Sequence, residues 1–156
     1  MRATGTKEVR LFLQNIGKRT TAAMRAEMFK AAKDVEELAK KMVPEDTASL
    51  MDSIRTEEQP SSSHRYYVQV LAGDTTPYPY SKNGATVADY AAIVHENYED
   101  YATDPDSEAG RRRRRKEIIT GQVVGSKFLT RALDQIDQNM AQRLGRVLTL
   151  IGGYEQ

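Results

Sequence analysis

The clearest periodicity in the chain runs from about Thr20 to Met42. Met24, Met28, Ala31, Val35, Leu38 and Met42 step by four, three, four, three and four residues. That spacing lays a narrow apolar seam along one side of a helix. Lys30, Lys33, Asp34, Glu36, Glu37, Lys40 and Lys41 fall on its other faces. The pattern predicts a long helix over 20–43. It is either laid on a sheet or another helix, or it is a subunit-contact helix. Upstream, Thr6 is a candidate cap for a short helix over 6–16, with Val9, Phe12, Leu13 and Ile16 on one face. Val9, Leu11 and Leu13 also alternate as a strand would. Gly17 weakens any continuation.

A dense set of local signals follows, from Val43 to Ile54. Pro44 ends the long helix, because the residue before a proline is pushed out of the helical region. Asp46 or Thr47 can cap a short helical turn through Ser53. Polar residues then alternate from Ile54 to Gln59, Pro60–Ser63 reads as a loop, and His64–Gly73 reads as a strand carrying Tyr66, Tyr67, Val68, Val70 and Leu71. These predict an antiparallel hairpin over 54–73. Two prolines and Asn83-Gly84 mark 74–85 as an ordered loop or hairpin tip.

Tyr90–Asn97 is compact and apolar, a third strand or a helical turn. An acidic stretch follows with Glu99, Asp100, Asp104, Asp106 and Glu108. Arg111, Arg112, Arg113, Arg114, Arg115 and Lys116 come directly after it. Ile118, Ile119, Val123 and Val124 suggest a final strand pair around Gly121. Leu129, Leu133, Ile136, Met140, Leu144, Val147 and Ile151 return to helical stepping over 127–150, with Ser126 as cap and Gly152-Gly153 as stop. The expected fold is therefore α+β and a single domain over 1–156. Two long amphipathic helices, N- and C-terminal, pack on a small, mostly antiparallel sheet of three to five strands. Loops and short strands fill 74–126, with a charged insert at 98–116.

Composition narrows the function classes. A hydrophobic fraction of 39% in 156 residues makes a modest core, so neighbouring subunits are expected to supply part of the stability. Lys plus Arg total 23 against 22 Asp plus Glu, a balance unlike that of a general nucleic-acid binder. With no cysteine there is no disulfide framework and no thiolate metal site. No signal peptide and no membrane-length apolar run is visible.

Candidate chemistry is thin. His64 and His95 are the only histidines, and His95-Glu96 lacks the second histidine of a metalloprotease helix. No nucleophile elbow, phosphate loop or EF-hand spacing occurs. No enzyme activity and no cofactor is expected. The Arg111–Lys116 block has three readings: a phosphate-backbone contact, a charge-complementary subunit contact with the acidic block before it or that of a neighbour, or a solvated loop. The first makes the chain a small nucleic-acid-binding protein.

Three stretches then fall into a recognisable order. Ala39-Lys40-Lys41-Met42-Val43-Pro44 leads to Asp46-Thr47-Ala48-Ser49-Leu50 and Ser53-Ile54. Tyr90-Ala91-x-x-Val94-His95-Glu96 comes later, and Lys127-Phe128-Leu129-Thr130-Arg131-Ala132-Leu133 last. This resembles the small tail-completion or neck proteins of tailed bacteriophages, the minor tail protein Z-like family. Its members look like Ala-Lys-x-x-x-Pro-x-Asp-Thr-Gly-x-Leu-x-x-Ser-Ile, then Tyr-Ala-x-x-Val-Glu-x-Gly, then Pro-Phe-Leu-x-Pro-Ala. The likeness covers about residues 20 to 145. Ala48 stands where the family has Gly, Asn97 stands near a family Gly, and Ser126 and Arg131 stand near family prolines.

The resemblance implies a structural virion protein assembled in the host cytoplasm. It would form a homo-oligomeric ring, six copies first and twelve second, between head connector and tail tube. Connector or head-completion proteins and tail-tube proteins would be its partners, with DNA in the channel and no membrane. Pro44, Asp46, Thr47, Leu50, Ile54, Tyr90, Ala91, Val94, Glu96, Phe128, Leu129 and Ala132 would be its structural motif positions. The charged residues of 99–116 would meet a neighbour or the channel.

Overall fold

The computed structural model describes residues 5–44, 48–59, 66–101 and 104–152, with side chains described within 21–44, 48–58, 66–98 and 104–150. The elements in order are α1 (Gly5–Met42), α2 (Ala48–Ser53), β1 (Arg55–Gln59), β2 (Tyr67–Leu71), α3 (Val87–Tyr101), α4 (Glu108–Thr120), α5 (Phe128–Asp137) and α6 (Met140–Gly152). The expected sheet of three to five strands is overturned. Among the described residues most are helical, and the sheet has two strands.

The long helix reaches further than its seam implied. α1 has 38 residues, about 57 Å at 1.5 Å per residue, and runs straight through Gly17. One glycine costs a helix about 1 kcal/mol relative to alanine, too little to interrupt so long a run without a proline. The separate helix over 6–16 is therefore the first part of α1, and Thr6 lies inside it. The stop is where Pro44 put it: the Val43 N–H makes a last 2.9 Å bond to the Ala39 carbonyl, and α1 ends at Met42.

The expected short helix after Pro44 is α2, and the expected hairpin is β1–β2. They pair antiparallel from Arg55↔Leu71 to Gln59↔Tyr67. The proposed caps Asp46 and Thr47, the loop Pro60–Ser63 and His64 lie outside the described residues. The 74–85 loop is closed by a bridge between Pro77 and Thr86.

One segment with two expected readings takes the helical one, and two others differ from expectation. Tyr90–Asn97, left open between strand and helical turn, lies within α3. Val87, Ala91, Val94 and Tyr98, its buried residues, step by four, three and four, which is helical spacing. Asn97 departs from helical backbone at φ −127° and ψ 15°, so α3 is kinked there. The strand pair around Gly121 is absent: Ile118 and Ile119 lie in the last turn of α4, and Gly121 caps it with a left-handed backbone at φ 65°. Local apolar clustering suggested strands, but Ser107 and Gly121 delimit a helix. The single helix over 127–150 is two, α5 and α6, separated at Gln138 and Asn139. Its expected cap Ser126 is replaced by Lys127, which has φ 52° and no side-chain capping bond.

The core gathers Val35, Ala39, Met42 and Val43 from the end of α1, Leu50 and Ile54 around α2, Val87, Ala91, Val94 and Tyr98 from α3, and Phe128 and Ala132 from α5. Phe128, Met42 and Leu50 are among the largest fully buried side chains. Each such side chain contributes about 1.5–3 kcal/mol through the water it sheds.

The hairpin lies against α1 through polar contacts. The Thr56 hydroxyl donates to the Ala32 carbonyl at 3.3 Å. The Arg25 guanidinium sits 5.2 Å from the centre of the Tyr66 ring. Glu36, which is buried, accepts from Lys33 and Lys40 at 2.8 Å each. Burial alone would raise its pKa. The hydrogen bonds from Lys33, Lys40 and Thr56 outweigh that and hold it at about 2.

Because the folded pKa of Glu36 lies below its unfolded value, its stabilising contribution is full above about pH 4.5 and is lost as pH falls toward 2. That contribution is about 3 kcal/mol at most. Glu36→Gln is expected to lower stability at pH 7 and to flatten the acid limb, as read by thermal unfolding at pH 7 and pH 3. Phe128→Ala is expected to cost about 3–5 kcal/mol in urea unfolding.

Candidate functional site

The Arg111–Lys116 block is helical, which excludes the solvated-loop reading. The reason is local. The Ser107 hydroxyl accepts from the Gly110 N–H at 3.0 Å and donates to the Asp104 carbonyl at 2.7 Å, a side-chain cap for α4. Glu108 stands in the first turn, where the helix dipole favours an anion. Gly110 is buried against the incoming chain, and a Cβ there would lie 2.9 Å from the Cα of Pro105. Gly121 closes the other end, its N–H bonded to the Glu117 carbonyl at 2.9 Å.

The six basic residues do different things. Lys116 is buried, and its ammonium donates to the Val43 carbonyl at 2.8 Å. That carbonyl lies just past the last residue of α1, at the negative end of its dipole. Arg113 is half-buried. Its Nε donates to Glu117 Oε1 at 3.2 Å, and its guanidinium lies 5.9 Å from the Tyr98 ring centre. Arg111, Arg112, Arg114 and Arg115 are exposed. Ile118 and Ile119 share their face, at 78% and 75% exposure.

The acidic block does not mirror the basic one. Glu99 and Asp100 lie in the last part of α3, with side chains outside the described residues. Asp104 and Asp106 are exposed, and the Asp104 carboxylate accepts from the Asp106 backbone N–H at 2.9 Å. Between the blocks the structure shows the Glu108–Arg112 pair, one helical turn apart. The arginine run is thus stabilised mainly from within α4.

The motif positions behave as a second group. Leu50, Ile54, Ala91, Val94, Phe128 and Ala132 meet in one core, with Tyr90 and Leu129 packed against it and Pro44 fully buried. The Lys127 N–H donates to the His95 carbonyl at 2.6 Å, which docks the start of α5 on α3. His95 meets Phe128 edge-on at 5.3 Å. Its Nδ1 is 2.8 Å from Glu96 Oε1, while Glu96 is itself exposed. Asp46 and Thr47 lie outside the described residues.

Two features escaped the sequence reading. One is the outward face of α3, where Asp89, Ala92, Ile93 and Glu96 are all exposed. Their spacing of three, one and three residues was the available signal. The other is the exposure of Ile118 and Ile119, which were read as strand residues. A shallow groove of about 420 Å³ also lies between α1, β2 and α5, lined mainly by Met28, Ala31, Val35, Val70, Leu129 and Leu133.

Among the described residues, no group of three or more His, Cys, Asp or Glu could hold a metal ion. No helix of theirs is long and apolar enough to cross a membrane. No family model matches the chain, and neither a curated protein nor a solved structure is significantly similar to it.

Lys116→Met is expected to cost about 1–3 kcal/mol, since it leaves the buried Val43 carbonyl without its charged donor. Arg115→Met, in the same run but exposed, should stay within about 0.5 kcal/mol. Urea unfolding of the two variants separates these outcomes.

Proposed function

We propose that this chain is a structural protein of a tailed-phage virion, one subunit of a neck or tail-completion ring joining head connector to tail. The observation that carries the reading is the convergence of the three motif stretches. Leu50 and Ile54, Ala91 and Val94, and Phe128 and Ala132 come from distant parts of the chain and close one core. Residues that recur in order for structural reasons are expected to pack together in this way. The outer surface points in the same direction. Ile93, Ile118, Ile119 and Leu133 remain 47–78% exposed on a chain with a modest core, as befits faces that neighbours cover.

The mechanism is interface geometry, with no catalytic step. Each subunit offers one surface to the next and receives a different one, and the head-to-tail contact closes on itself. Six copies is the first expectation and twelve the second. The loop at 74–85 and the α4 region face neighbours, connector or tail proteins, or the DNA channel.

Native mass spectrometry and negative-stain images of the purified protein are expected to show a closed ring. A monodisperse monomer that also fails to join connectors or tails overturns the reading. An Arg111–Arg115→Ser variant that keeps its assembly but loses DNA binding would favour the nucleic-acid-binding alternative.

A further inference from the structure

Two exposed helix faces in this chain have matching chemistry. On α4, Arg111, Arg114, Arg115, Ile118 and Ile119 share one outward face, cationic in its first half and apolar in its second. On α3, Asp89, Ala92, Ile93 and Glu96 form an outward face with a carboxylate on either side of an isoleucine. Both faces carry charge one turn from an apolar anchor, on one side of it in α4 and on both sides in α3. Ile118 stands three and four residues after Arg115 and Arg114. Ile93 stands three residues before Glu96 and four after Asp89. Each apolar anchor therefore has its charges one helical turn away, about 4.5–6 Å along the axis.

We propose that the α4 face of one copy docks antiparallel on the α3 face of the next, Ile118 and Ile119 against Ala92 and Ile93, with Arg114 and Arg115 meeting Glu96. This contact rests on the ring reading and specifies one interface within it. It differs from pairing the arginines with the acidic stretch before them. There, no large apolar side chain among the described residues stands beside the carboxylates of Asp104, Asp106 and Glu108, whereas the exposed Ile93 stands one turn from Glu96.

Charge and burial both favour a second copy. Five arginines in one helix of a chain whose net charge is +1 leave the remainder net acidic, so a subunit is electrically polar and attracts another like it end to side. A phosphate backbone would engage the arginines alone. Contacts to it come from basic and polar side chains, helix termini and N–H groups, which leaves two largely exposed isoleucines in water. A protein face with its own isoleucine covers them.

Charge reversal with rescue tests the contact in the full chain. Arg114→Glu/Arg115→Glu and, separately, Ala92→Lys/Glu96→Lys place like charges across it. All four positions are exposed, and circular dichroism melting checks that both variants fold. Each is expected to weaken self-association by about tenfold or more in analytical ultracentrifugation. The combined four-residue variant restores opposite charges and should recover most of it. Assembly unaffected by either pair, or no recovery in the combination, overturns the contact while leaving the ring reading intact. Unchanged assembly with loss of retention on double-stranded DNA overturns it in favour of a nucleic-acid face. A wild-type chain that is monomeric throughout overturns the ring reading and the contact together.

Discussion

The structure depends on how the C-terminal end of α1 is closed. A helix leaves its last four carbonyls without intrahelical partners, and a buried carbonyl left unpaired costs free energy. Here α1 ends inside the core, with Met42, Val43 and Pro44 all buried. Pro44 prevents the helix from continuing. The partners come from far along the chain. The Gly125 N–H donates to the Met42 carbonyl at 3.0 Å, and the Lys116 ammonium donates to Val43. Those two bonds bring the end of α4 and the loop after it to the end of α1. Two residues beyond Gly125 the chain turns at Lys127, bonds to His95, and buries Phe128. Helix closure and core formation are therefore one event.

This arrangement explains why the motif residues are mostly hydrophobic. Their positions are those where α1, α2, α3 and α5 meet, and what they specify is packing. Polar chemistry is used for joining elements. Ser53, buried, donates to the Leu50 carbonyl at 2.7 Å and accepts from the Gly73 N–H at 2.8 Å, tying α2 to the strand that returns. Arg143 reaches Asp34 at 2.6 Å and so holds α6 to α1. Exposed charges occur along α1, α3, α4, α5 and α6, with the consecutive arginines of α4 the densest group.

What could be read from the sequence was set by the range of the forces involved. The stop at Pro44, the α1 seam and the β1–β2 hairpin were legible, because steric exclusion and strong periodicity act locally. Residues 87–101 were harder, since Tyr90, Ile93 and Val94 favour strands by composition while the burial of Val87, Ala91, Val94 and Tyr98 makes them helical. Tertiary packing decides such cases. The start of α5 was misread for the same reason: Ser126 is the better cap by type, yet the bond from Lys127 to His95 sets the geometry. Of the charged candidates, Arg111, Arg112, Arg114 and Arg115 are exposed, with Arg112 paired to Glu108 on the same helix. Lys116 could not be told apart from them in sequence, because its role comes from a carbonyl 73 positions away.

That last point bears on how much information a homopolymeric run can hold. Five identical residues carry no phase of their own. In α4 the phase is supplied from outside the run, by the serine that caps it and the lysine that is anchored beneath it. Removing a single arginine would change the chain's charge by one unit, yet it would turn everything before the gap by about 100° relative to the anchor. A run that looks tolerant of slippage is thus indexed at both ends, and its length matters more than any one of its members.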